Sequence, residues 1–194
     1  MYPHTDISQT WYVIVNPIAG FGRGLEDLPL ITKLIRENDI PYELVFSQHK
    51  YHVTELTVEA VNSGYRHIMV IGGDGTLHEV VNGLFIQQTT PVEEVTVAVI
   101  PVGTGNDWVR TFGIASHYSE AIRAIKEGKT FLQDVGAVTY TESKFRQTRY
   151  MANVAGLGYD AVVNLKYNNL KDEGKYGKGL YLRSAFRTFA KYSP

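Results

Sequence analysis

Cysteine is absent from the 194 residues. That excludes disulfides, thiolate metal sites and a cysteine nucleophile, and it fits a reducing compartment such as the cytoplasm. Long apolar runs are absent as well: none approaches the ~20 residues that a spanning helix needs, so any membrane contact is made from the side. Met1 to Thr10 lack a basic flank followed by an apolar stretch, and no signal peptide is expected there. Charge of one sign is also lacking. The formal net charge is −1, so no overall field draws the chain to nucleic acid. No Gly-x-x-x-x-Gly-Lys-Ser/Thr P-loop occurs, and no serine sits in a nucleophile elbow. His49 and His52 form the one close histidine pair, without a third ligand in sight, and no metal site is expected there.

What is present is an alternation of strand and helix signals. Tyr12 to Val15 reads as a buried strand ending at Asn16-Pro17, and Leu28, Ile31, Leu34 and Ile35 then recur at helical spacing. Tyr42 to Phe46 is a second strand. Val53, Leu56, Ala60 and Val61 mark a helix closed near Gly64. His67 to Ile71 is a third strand. Leu77, Val80, Val81, Leu84 and Phe85 form a helical stripe, with Thr76 and Glu79 at capping-box spacing. Val95 to Ile100 is a fourth strand, and Tyr118, Ala121, Ile122 and Ile125 make a helix stopped by Gly128. This order predicts a parallel sheet with helices on both faces, whose ligands bind beyond the carboxyl ends of the strands. Three glycine loops, at 20–24, 72–76 and 103–105, all follow strands and should cluster on that edge. After about Phe131 the pattern changes. Phe131–Tyr140 and Arg146–Val154 read as two antiparallel strands, followed by a short helical stretch and a helix from about Leu180 to Tyr192. The expected organisation is an α/β domain over 1–135 and, over 136–194, the start of a β-rich domain with too few strands to close, as in a truncated chain.

The chemistry concentrates in Gly72-Gly73-Asp74-Gly75-Thr76. Glycines let a bulky anion approach the main chain, and the helix that follows offers unpaired N–H groups at its positive end. The alternative is a plain strand-to-helix turn. Asp74 is out of place beside polyphosphate unless it holds a cation or takes a proton. Pro101-Val102-Gly103-Thr104-Gly105-Asn106-Asp107 is a second glycine turn: Thr104 can donate to a phosphate oxygen and Asn106 can read a base or ribose edge, or Asn106 and Asp107 can simply cap a helix. The loop with Gly20, Gly22 and Gly24 lacks dinucleotide-fingerprint spacing; Arg23 there can clamp phosphate or lie solvated. Asp134 sits in an apolar stretch, where a carboxylate needs a cation, a partner or backbone amides. Lys166, Lys171, Lys175, Lys178, Arg183, Arg187 and Lys191 make the C-terminal segment basic. Arg183, Arg187 and Lys191 share one helical face and Leu182, Phe186 and Phe189 another, a pattern that suits either anionic lipid or an ordinary core stripe.

Four ordered motifs carry a resemblance. They are Asn16-Pro17-x-Ala19-Gly20, the run Gly72 to Gly83, Pro101 to Asp107, and Asn153-x-x-Gly156-x-Gly158-x-Asp160-Ala161. Together they resemble the diacylglycerol kinase catalytic-domain family, which includes bacterial lipid kinases and the sphingosine and ceramide kinases. The resemblance implies an α/β domain that holds ATP with Mg²⁺, a β-sandwich after it, and a lipid in the cleft between. Asn16, Pro17, Gly20, Gly73, Asp74, Gly75, Thr76, Glu79, Gly103, Thr104 and Asn106 then fall in the nucleotide loops, and Ser47 stands in for a threonine that touches ATP. Asp74, Asp107 and Asp134 match three acids of a carboxylate–water–Mg²⁺ network, and Asp74 also matches the proposed general base. His52 matches the histidine of a short His-Ala element, with Val53 in place of the alanine. Two departures stand out: Phe21 replaces a polar residue, leaving Arg23 to supply the charge, and the later acidic motifs have no counterpart.

The expected activity is ATP-dependent phosphorylation of a lipid hydroxyl at a membrane surface, carried out from the cytoplasmic side, with this chain mainly the nucleotide-binding half. The alternatives are a soluble-substrate kinase of the NAD kinase type and a non-catalytic nucleotide-binding fragment. The acceptor lipid and the oligomeric state are left open by the sequence.

Overall fold

A computed structural model describes residues 6–103, 105–114, 117–156, 158–173 and 179–189, without the side chains of residues 171, 172 and 182. Thr104, Lys175, Lys178 and Lys191, singled out above, lie outside the described residues, as do the side chains of Lys171 and Leu182.

The strands β1 (Trp11–Val15), β2 (Tyr42–Phe46), β3 (His67–Gly72) and β4 (Thr96–Pro101) form one parallel sheet in the order β2-β1-β3-β4. Between them run α1 (Arg23–Glu26), α2 (Leu28–Glu37), α3 (His52–Asn62) and α4 (Asp74–Ile86), and after β4 come α5 (Asp107–Thr111) and α6 (Tyr118–Glu127). Strand side chains alternate between faces. Tyr12, Ile14, Ile68 and Val70 therefore pack with Val53, Leu56, Val61, Val80 and Leu84 of α3 and α4. Val13, Val15, Met69, Ile71 and Ile100 pack with Ile31 and Ile35 of α2 and with Ile122 of α6. Each aliphatic side chain so buried contributes roughly 1.5–3 kcal/mol. Both faces are covered, as the near-continuous apolar strands require.

The chain leaves β1 toward one edge of the sheet and β3 toward the other, so the carboxyl ends of β1 and β3 flank the topological switch point. Hydrogen bonds carry the ladder one step past the strands. Ser47 N–H donates to Val15 O (2.9 Å), Asn16 N–H to Ile71 O (3.0 Å) and Val102 N–H to Gly72 O (3.0 Å). The loops after all four strands thus start from one level.

Two expected elements differ. The helix α4 begins at Asp74, with Gly73 as its N-cap, so Thr76 lies inside the first turn and the Thr76–Glu79 capping box does not form. The strand expected from Phe131 starts only at Gly136: β5 (Gly136–Glu142) pairs antiparallel with β6 (Phe145–Met151). Residues 131–135 are irregular because Gln133 is tied sideways. It accepts from Trp108 Nε1–H (2.8 Å) and donates to Ala152 O (2.5 Å). This hairpin is all the antiparallel sheet that the described residues contain.

The compact unit that holds the sheet runs from Met1 to Asn153 and includes the hairpin; a second unit covers Val154–Pro194. In that second unit α7 (Tyr159–Asp172) and α8 (Leu180–Phe189) form a helical pair. Ser184 and Thr188 are buried, and Lys166 Nζ donates to Thr188 Oγ1 at 3.1 Å. Phe186 and Phe189 are exposed. The expected reading of these two aromatics as a core stripe therefore does not hold within this unit. Among the described residues, no helix is long and apolar enough to cross a membrane.

Candidate functional site

The three glycine loops meet, and backbone contact is what brings them together. Gly20, Phe21 and Gly22 have φ of 61°, 65° and 94° in succession, and a Cβ on Gly20 would lie 1.8 Å from Val102 O. A Cβ on Gly73 would lie 3.1 Å from the Cα of Gly103, and one on Gly103 2.9 Å from the Cα of Gly73. Side chains at these positions would force the loops apart. Gly75 is different: it is exposed, and nothing lies within 4 Å of where its Cβ would be. The fold does not need a glycine there, and its missing side chain leaves open space in front of the first turn of α4.

Side chains then lock the loops. Asn16 Nδ2 donates to Thr76 Oγ1 (3.0 Å), while Asn16 Oδ1 accepts from Ile18 N–H (3.2 Å). Asn106 takes the left-handed conformation (φ 53°, ψ 43°) ahead of α5, which asparagine tolerates better than most residues, and donates to Gly103 O at 2.8 Å. Pro17 and Ser47 sit at the starts of the loops after β1 and β2, Ser47 being buried.

Asp74 resolves its electrostatic conflict in part by itself. Its Oδ2 accepts from Asp107 N–H (3.1 Å) and its Oδ1 from Trp108 N–H (3.0 Å), so the carboxylate holds the start of α5. Glu79, one turn on, lies against the amides of Tyr51, Val53 and Thr54 at the start of α3; burial pushes its carboxyl up, and those amides with Lys50 pull the other way. The helix α4 thus turns acids toward two neighbouring helix N-termini. No described side chain accepts from its own first amides, at Asp74 and Gly75, and the space where a Gly75 Cβ would lie is open. Two buried side-chain oxygens among the described residues lack a partner, Glu79 Oε2 and Asn106 Oδ1, and both belong to this site.

The acids expected to hold a metal are arranged unevenly. The Asp74 and Asp107 carboxylates both flank Gly105, 3.1 and 3.8 Å from where its Cβ would be. Asp107 is exposed and lies 3.6 Å from Arg110. Asp134 is exposed in the irregular segment before β5 rather than in a strand. The three do not come within 4.8 Å of one another as a set. Arg23 does not reach for a ligand either. It pairs with Asp27 (3.1 Å) and bonds Tyr118 Oη (3.3 Å), whose own hydroxyl donates to Asp27; burial and that carboxylate push Tyr118 up to about 12.

His49, His52 and Glu55 bring ligand atoms within 4.8 Å of one another, so the pair does find a third group. However, His52 Nδ1 accepts from Gln48 N–H (2.9 Å). Its proton is then on Nε2, and neither ring nitrogen offers a spare lone pair.

Asn82, inside the run Gly72 to Gly83, carries no role of its own in the sequence reading, yet it is a principal tie. It is 2% exposed. Its Nδ2 donates to Tyr150 O (2.9 Å) and its Oδ1 accepts from Tyr150 N–H (3.1 Å), while Phe85 stacks on the Tyr150 ring at 4.4 Å. A polar residue inside the apolar stripe of α4 was the available signal, because a buried amide must find partners. Tyr51 was missed as well. It precedes α3 at φ 67°, a conformation that costs a bulky residue on the order of 1–3 kcal/mol.

The family model described as diacylglycerol kinase catalytic domain matches residues 10–138. The chain belongs to the diacylglycerol kinase catalytic-domain family. The putative lipid kinase YtlR of Bacillus subtilis (strain 168) is 32% identical over 162 residues, covering 80% of this chain and 50% of that protein. A diacylglycerol kinase of Staphylococcus carnosus (strain TM300) is 29% identical over 146 residues, covering 75% of this chain and 44% of that protein. The crystal structure of a diacylglycerol kinase from Bacillus anthracis str. Sterne superposes with a TM-score of 0.63 at 28% identity, over 93% of this chain and 55% of that one. This family member spans about half the length of the curated relatives it matches.

Proposed function

We propose that this chain is the nucleotide-binding half of an ATP-dependent lipid kinase, which passes the γ-phosphate of ATP to a lipid hydroxyl. The observation that carries the reading is the first turn of α4: its Asp74 and Gly75 amides have no described side-chain acceptor and Gly75 borders open space, while Gly20, Gly73 and Gly103 let three loops close around it. Phosphoryl transfer asks a protein mainly to position phosphates and to neutralise charge, and fixed amides at a helix N-terminus do both. Asn16 and Thr76 brace the first loop, and Asn106 Oδ1 and Glu79 Oε2 are acceptors for nucleotide or its water. Thr104, Ser47, Pro17 and Gly103 belong to the same reading as loop contacts.

Mg²⁺ fits the donor set, since Asp74 and Asp107 offer hard carboxylate oxygens on either side of Gly105. Asp134 joins them only through water, given the spread of the three acids. When bound, Mg²⁺ supplies charge neutralisation at the phosphates. The two backbone donors on Asp74 favour its role in that network over a role as general base. The protein works on the cytoplasmic side of a membrane, touching it peripherally.

The test is a thermal melt with Mg-ATP, with NAD as the comparison ligand. Binding at 100 times the dissociation constant stabilises by about 2.7 kcal/mol. A shift with Mg-ATP alone is expected; a shift with NAD alone would move the assignment to a soluble-substrate kinase.

A further inference from the structure

Beside the glycine cradle lies a group of cations that the nucleotide reading does not use. The Lys50 ammonium stands 5.1 Å, and the Arg149 guanidinium 5.6 Å, from the centroid of the Tyr51 ring. His78 follows Asp74 by one turn of α4 and feels Arg149: partial burial of its ring and then that guanidinium push its pKa down. Neither Lys50 nor Arg149 forms an ion pair among the described residues. Two like charges over one ring repel each other unless an anion joins them. One nearby carboxylate, Glu79, attracts Lys50 but also lies against the α3 amides, and Asp74 holds the α5 amides, so the two cations share a single, already engaged acid.

The backbone that carries two of these groups is also held in place. Asn82 binds both backbone groups of Tyr150, and so anchors the β6 backbone beside Arg149. Tyr51 is kept in its left-handed conformation with its amide toward Glu79. Asp74, His78 and Asn82 succeed one another at four-residue steps on α4 and so share one face of that helix. That face leads from the phosphate cradle to the cations.

We propose that Lys50 and Arg149, with Tyr51 and His78, form a subsite for a phosphate-bearing head group. Resting on the kinase reading above, this makes the acceptor an anionic phospholipid with a free hydroxyl. A neutral glyceride leaves the two cations unmatched, and a cationic sphingoid base is repelled by them. Arg149 is suited to the role because its planar fork matches two phosphate oxygens.

The experiment is calorimetric titration of this chain with dihexanoyl phosphatidylglycerol, dihexanoylglycerol and inorganic phosphate, each with and without saturating Mg-ATP. The phosphatidylglycerol is expected to bind about 10-fold tighter than the neutral glyceride or phosphate, and Mg-ATP is expected not to displace it. Arg149→Met should lower the ratio of lipid to Mg-ATP affinity about 10-fold, and Lys50→Met, on an exposed loop, should lower it in the same direction. Equal binding of the two lipids overturns the proposal, as do phosphate binding as tight as the lipid, displacement by Mg-ATP, and Mg-ATP binding without lipid binding. Failure of Mg-ATP itself to bind counts against the kinase reading instead.

Discussion

Trp108 donates its backbone N–H to Oδ1 of Asp74 at 3.0 Å, across 34 positions of sequence. With the parallel bond from Asp107, this makes Asp74 the clasp between two of the three glycine loops. Hydrogen bonds to a charged group contribute roughly 1.5–3 kcal/mol. Asp74→Ala should therefore destabilise the first unit by about 2 kcal/mol without unfolding it and abolish turnover in a complete enzyme. Asp74→Asn, which keeps one acceptor, should lose about half as much stability. Urea melts followed by tryptophan fluorescence check this, since Trp108 is buried beside the clasp. An Asp74→Ala chain as stable as the parent would remove the clasp from the account.

The glycines of the site divide into two kinds, and substitution separates them. Gly20→Ala places a methyl 1.8 Å from Val102 O at φ 61°, and should cost more than about 2 kcal/mol. Gly75→Ala meets nothing within 4 Å and exchanges a poor helix former for the best one, so the melt should hold or rise by about 0.5 kcal/mol. Yet Mg-ATP binding should fail, because the methyl stands where the phosphates approach. A Gly75→Ala chain that binds Mg-ATP normally would place the nucleotide elsewhere.

Much of this was legible from residue order alone. Apolar runs of strand length between helical stripes fix a parallel sheet, and a parallel sheet places Asn16, Gly73 and Gly103 on one edge. What the order of residues does not carry is which partner a polar side chain chooses at long range. Arg23 faces a phosphate loop in sequence, yet Asp27 and Tyr118 hold it. Phe131 to Val135 has the composition of a strand, but Gln133 binds Trp108 and Ala152 instead of a ladder. Thr76 and Glu79 have the spacing of a reciprocal cap, but α4 starts three residues earlier, with Gly73 rather than Thr76 as its N-cap, and releases both for contacts outside it. These misses share one cause: a side chain offered a local role took a tertiary one.

The bond from Asn16 to Thr76 is open to a double-mutant cycle. Thr76 is 4% exposed, so removing its partner leaves a buried hydroxyl with a lost donor. Asn16→Ala and Thr76→Val should each destabilise, and the pair should fall short of additivity by about 0.5–1.5 kcal/mol. Strict additivity in denaturant melts would mean that the two loops are held by backbone packing alone.

Glu79 gives a pH dependence whose sign follows from its surroundings. Burial, the largest influence on it, raises its pKa above the ordinary 4.5 despite the α3 amides and Lys50. The folded chain then binds more protons than the unfolded one in the range just above 4.5, so this group's contribution to stability falls as pH rises through that range. Glu79→Gln removes the titration. It should leave stability near its acidic value and flatten the slope between pH 4.5 and neutrality, relative to the parent chain. Melts of the two proteins at pH 4.5, 5.5 and 7 give the comparison directly. If the amides at Tyr51, Val53 and Thr54 outweigh burial, the slope reverses: Glu79→Gln then loses its relative stability as pH rises, and the buried Oε2 oxygen is better matched than its lack of a partner implies.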